Sequence, residues 1–128
     1  MSGFAIVNFQ DVEDSAAAQA SGIEARFTRK HLGSEHLGVT YIRYQPGVRS
    51  PMAHSHREQE GAYVVLSGSG QVRLDDEVRD LRRWDVVRVS PQTVRAFQAG
   101  DEGLELIVAG SDRPEGGDGI RAEQTWGE

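Results

Sequence analysis

His54 and His56 flank Ser55, a few residues beyond the turn at Gln45-Pro46-Gly47. In an extended strand, side chains two apart leave the same face, so both imidazoles would enter one pocket. Two neutral imidazoles offer nitrogen lone pairs in fixed directions, a donor pair suited to a divalent transition metal such as Zn, Fe, Mn or Ni. A working metal site ordinarily takes a third protein ligand, and the absence of cysteine excludes thiolates and thiol nucleophiles. The nearest carboxylates are Glu58 and Glu60. The competing reading of the pair is two surface or hydrogen-bonded histidines. His31 and His36 are five apart with Gly33 between them, which is not a same-face helical spacing, and they read as loop positions. No glycine-rich phosphate loop precedes a helix.

The elements that must position these residues are short strands. Residues 39–44 are β-branched and aromatic, and 62–66 form an apolar run. Val72 and Leu74 alternate with polar residues, as a strand with one wet face requires. Further strands are predicted over 78–81, 84–89, 94–97 and 104–109, with Asp75-Asp76-Glu77 as a hairpin tip. Turns are predicted at 67–70, 90–92 and 100–103 from their Gly, Ser and Pro content. Breaks every 8–12 residues, without crossover helices, predict an all-β sandwich or barrel with little helix. Residues 12–22 fit an alanine-rich helical turn capped by Asp14 or Ser15, or a loop, and 24–32 are read as a strand in preference to a short helix. The segment 111–119 is read as irregular, with Trp126 folding back over the barrel.

The 128 residues fit one domain. A formal net charge of −6, with the acidic residues dispersed, argues against nucleic-acid binding. The apolar runs are too short for a membrane helix, and no secretory signal is evident, so a cytoplasmic protein is expected.

Gly47, His54, His56, the run Glu58-Gln59-Glu60 and then Tyr63-Val64-Val65-Leu66-Ser67-Gly68 together resemble the first motif of the cupin superfamily. That motif has a glycine, a His-x-His pair, a glutamate four or five positions on, and a glycine ending the next strand. Trp84-Asp85-Val86-Val87-Arg88-Val89-Ser90-Pro91 is similar to the second motif. The resemblance covers roughly residues 39–110, with terminal extensions packing on that barrel. It implies a small antiparallel jelly-roll barrel with a central site, and a homodimer.

Metal-binding cupins take two histidines and a glutamate from the first motif and a histidine from the second. Counted on this sequence, the glutamate position falls on Gly61 and the second-motif histidine on Arg95. Glu60 is one residue out of phase and would need a bulge to point inward. A guanidinium has no lone pair to give. About 5 Å from a divalent ion it would oppose binding by roughly 6–7 kcal/mol before screening. The metal is therefore expected to be absent or weakly held. A pocket of His54, His56, Arg95 and Tyr63 suits an anionic small molecule instead, gripped by Arg95. A cupin-type enzyme using His54 or His56, and a purely structural barrel with Arg95 in a salt bridge, stay open beside it.

Overall fold

The computed structural model describes residues 3–17, 22–112, 114, 116–123 and 126. Eight strands form one curled antiparallel sheet: β1 (Ile23–Phe27), β2 (Gly38–Tyr44), β3 (Ala53–His56), β4 (Gly61–Leu74), β5 (Glu77–Arg82), β6 (Val86–Val89), β7 (Arg95–Gly110) and β8 (Gly119–Ala122). The order β1-β2-β7-β3-β8 is joined by β4, which pairs with β5, β6 and β7. Among the described residues helix is confined to a 3-10 turn at Phe9–Asp11 and to α1 (Arg29–Leu32). No helix among them is long and apolar enough to cross a membrane.

The frame is the β4–β7 ribbon, paired from Gly61↔Gly110 to Leu74↔Arg95. The turns expected at 67–70 and 100–103 are instead bends within these two strands. Register shifts fall between Val65 and Ser67 and between Gly68 and Gly70. Gly68 has φ +79°, and a Cβ there would stand 2.1 Å from the Gly103 carbonyl oxygen. Glycine at such a bulge lets a paired strand bend without ending. A turn and a bulge leave the same composition in the sequence, which explains the misreading.

The bend folds the ribbon onto itself. Tyr63 and Phe97 are not register partners, since they pair with Val108 and Val72 respectively. Their rings nevertheless meet with centroids 4.8 Å apart. Alternate residues facing inward, among them Tyr44, Val65, Val72, Val89, Leu104 and Leu106, complete the buried core. Each aliphatic side chain so buried contributes about 1.5–3 kcal/mol.

Other expectations need smaller corrections. Residues 24–32 divide into β1 and α1, because Gly33 in the left-handed conformation caps a one-turn helix. The strand drawn from Trp84 begins at Val86, and Trp84 itself stands exposed in the turn with φ +77°. Of the segment 12–22, residues 18–21 lie outside the described ones, and Ser15–Ala17 make a turn. There Asp14 accepts from the Ala16 and Ala25 amides at 3.0 Å. The region read as irregular up to residue 119 leads directly into β8, which the sequence reading did not contain. Trp126 lies against Arg49, its ring 5.1 Å from the guanidinium carbon.

Candidate functional site

Strand β3 carries both histidines and joins β7 through a single register pair, His54↔Arg95. Register partners share a face. Arg95 shares that face with Phe97, two residues on, which lies in the core. His54, His56 and Arg95 therefore point into the barrel together. The imidazoles meet edge to face, centroids 5.1 Å apart. Tyr63 approaches from β4, almost fully buried. Its ring packs on Phe97, and its hydroxyl makes no hydrogen bond to a described residue.

Arg95 is 1 % exposed. Its one hydrogen bond to a described residue runs from Nη2 to the Ser90 carbonyl oxygen, 2.7 Å away, and Nε is buried without a partner. It forms no ion pair with Glu58 or Glu60. Glu60 faces outward and accepts from Arg88 at 2.8 Å. Burial pushes the Arg95 pKa down, opposed by the nearby Tyr63, Asp118 and Asp75.

The residue that sequence reasoning missed is Asp118, just before β8. Its carboxylate is 1 % exposed. One oxygen takes the His56 Nδ1–H at 2.8 Å. The other accepts the backbone amides of Glu58 and Gln59 at 2.8 and 2.9 Å. Burial alone would raise its pKa; the Glu58 amide, His56 and the Gln59 amide outweigh that and bring it to about 2. Asp118 is thus an anion that fixes the proton of His56 on Nδ1 and leaves the Nε2 lone pair free. Nothing in its surroundings, Gly116-Gly117-Asp118-Gly119, signals this from sequence.

His54 has no hydrogen bond to a described residue. Burial, then the Arg95 charge, then His56 hold its pKa down at about 4. It is neutral at pH 7 and can donate or accept, depending on tautomer. The depressed value has a measurable consequence. Between pH 6.5 and 4 the unfolded chain takes up a proton at this position that the folded chain refuses, so stability falls with pH across that window. Denaturant melts should show a loss on the order of 3 kcal/mol there, and His54→Gln should flatten that limb.

His31 and His36 stand apart from the site. His31 lies 3.2 Å from Glu13, and exposed His36 pairs with Asp112 at 3.1 Å.

The donor set does not fit a divalent metal. Gly61, on the inner face, offers no ligand, Glu60 is turned outward, and a guanidinium without an ion pair to a described residue is buried beside His54. Among the described residues no three His, Asp or Glu side chains converge as a metal cluster.

A curled jelly-roll sheet with an inward His-x-His on β3 defines the class of small β-barrel sensed in the sequence. The cupin domain family matches residues 40–110, and the chain belongs to that family. Among solved structures, the chain is similar to KdgF from Halomonas sp., at 20% identity over 86% of this chain and 94% of that one, with a TM-score of 0.69. It is similar to the polyketide cyclase RemF from Streptomyces resistomycificus, at 18% identity over 94% and 87%, TM-score 0.76. It also matches oxalate decarboxylase from Bacillus subtilis, at 26% identity over 90% of this chain but only 31% of that longer one, TM-score 0.75. No curated protein matches the sequence.

Proposed function

We propose that the barrel binds a small anionic molecule, a carboxylate or phosphate, against Arg95. The carrying observation is the fully buried guanidinium, which makes no ion pair with a described residue and has an orphaned Nε–H. A buried charge left unpaired is strongly destabilising, and a buried donor left unmade costs about 1–3 kcal/mol. An anion entering the barrel would relieve both. His54 and His56, half-buried on the same face, and the free Tyr63 hydroxyl supply further hydrogen bonds. Oxalate decarboxylase, similar over this domain, is named for a dicarboxylate. The fold itself hosts many unrelated activities, so the argument rests on the site.

The test is a thermal-shift screen with oxalate, pyruvate, 2-oxoglutarate, inorganic phosphate and glucose 6-phosphate. At a hundredfold excess over Kd a true ligand adds about 2.7 kcal/mol of stability. Arg95→Met, which keeps much of the side-chain volume, should weaken each hit by roughly 10- to 100-fold, the worth of a charge-assisted hydrogen bond. If that variant keeps every hit at wild-type affinity, the reading fails, and a structural barrel takes its place.

A further inference from the structure

We propose that the barrel also acts on its ligand, enolising small 2-oxo acids by proton transfer at His56, with Asp118 as the positioning residue. This rests on the anion-binding reading above. The arrangement has three parts. Asp118, with one oxygen fixed by two backbone amides, holds His56 Nδ1–H with the other. That bond orients the ring and leaves Nε2 as the basic nitrogen. Arg95, the register partner of His54, supplies a cation for the carboxylate. The Tyr63 hydroxyl and His54, neither hydrogen-bonded to a described residue, are left to donate to a carbonyl oxygen.

The step balances without a further reactant. Nε2 of His56 takes a proton from the carbon next to the carbonyl. The C–H electron pair becomes the C=C bond of the enolate, and the carbonyl π pair moves onto oxygen. The imidazolium that forms is stabilised by the Asp118 carboxylate and returns a proton to carbon. If it first exchanges with solvent, the carbon acquires solvent hydrogen. Besides anchoring the Glu58 and Gln59 amides, the Asp118 carboxylate chooses between the two His56 tautomers, a choice that binding alone would leave open. Asp118 fixes the tautomer that makes Nε2 a base.

The experiment follows loss of the C3 proton signals of pyruvate and 2-oxoglutarate by NMR in D2O, with binding monitored in parallel by thermal shift. Untagged full-length protein should accelerate exchange above buffer. His56→Gln should reduce exchange to background. Asp118→Asn keeps an acceptor for the two amides but offers His56 an N–H, moving the imidazole proton to Nε2. It should bind as wild type yet lose exchange by about 10²- to 10⁴-fold, a split that a merely structural role for Asp118 would not produce. Binding without exchange in the wild type overturns the proton-transfer proposal and leaves the binding reading standing. Exchange equal in wild type and Asp118→Asn overturns the role of Asp118, and with it the proposal. Failure of both acids to bind overturns this proposal, while phosphate or oxalate hits in the earlier screen would still uphold the binding reading.

Discussion

Gly61→Glu combined with Arg95→His is expected to yield a protein that purifies with roughly one divalent transition metal per chain, the four-ligand complement of a closed site. The wild-type protein prepared alongside should be substoichiometric. A Cβ on Gly61 would lie 3.6 Å from Tyr63 Cε1 and 3.8 Å from the Ala109 carbonyl oxygen, which are ordinary contacts. Position 61 shares the inner face with Tyr63, so an introduced carboxylate would start toward the histidines. Position 95 is already the register partner of His54. Exchanging the guanidinium for imidazole removes the repulsion and adds a ligand in one change. His56 is ready for that role, because Asp118 on Nδ1 orients it as carboxylates orient metal-binding histidines elsewhere. Elemental analysis of untagged protein reads the outcome. A fully loaded wild type would show that the guanidinium does not exclude metal and would overturn the site assignment.

Asp118→Ala is expected to cost about 3 kcal/mol, since it strips one partner from three charge-assisted or backbone hydrogen bonds. At that size the thermal midpoint should fall by roughly 10 °C. The acid limb gives a second signature. The carboxyl pKa is about 2 in the folded chain against 3.8 unfolded. A depressed folded value means the stabilisation is complete above pH 3.8 and is lost as pH falls toward 2. That places its titration below the His54 window, so urea melts across pH 2–7 separate the two. Asp118→Asn, uncharged at every pH, should lack the lower limb. If the alanine variant melts within a degree or two of wild type, the Asp118 contacts do not anchor the site.

The barrel was legible because alternation and β-branched runs such as 39–44 and 104–109 are local signals of strands. The His54/His56 face was legible for the same reason, since a period of two needs no tertiary information. Motif counting, not any pattern around Arg95, placed it in one pocket with His54; their register pairing is known only from the structure. Gly68 and Gly103 misled because glycine at φ near +80° serves a bulge as well as a turn. Asp118 was invisible because its meaning is wholly long-range: its three partners lie about sixty positions earlier in the chain. Glu60 was open in the sequence because one residue of phase decides its face, and its contact with Arg88 puts it outside.

The β4–β7 ribbon also governs how this molecule comes into being. Its pairing is antiparallel but distant in sequence, closing at Gly61↔Gly110 around the whole β5–β6 excursion. β3 pairs with β8 across a similar distance in sequence, Ala53 with Ala122 and His56 with Gly119. Chains dominated by such non-local pairings fold in milliseconds to seconds, because loop-closure entropy is lost before contacts compensate it. Asp118, whose carboxylate orients His56, follows both histidines and Arg95 in the chain. The contact that orients His56 thus spans a longer stretch of chain than the His54↔Arg95 pairing beside it.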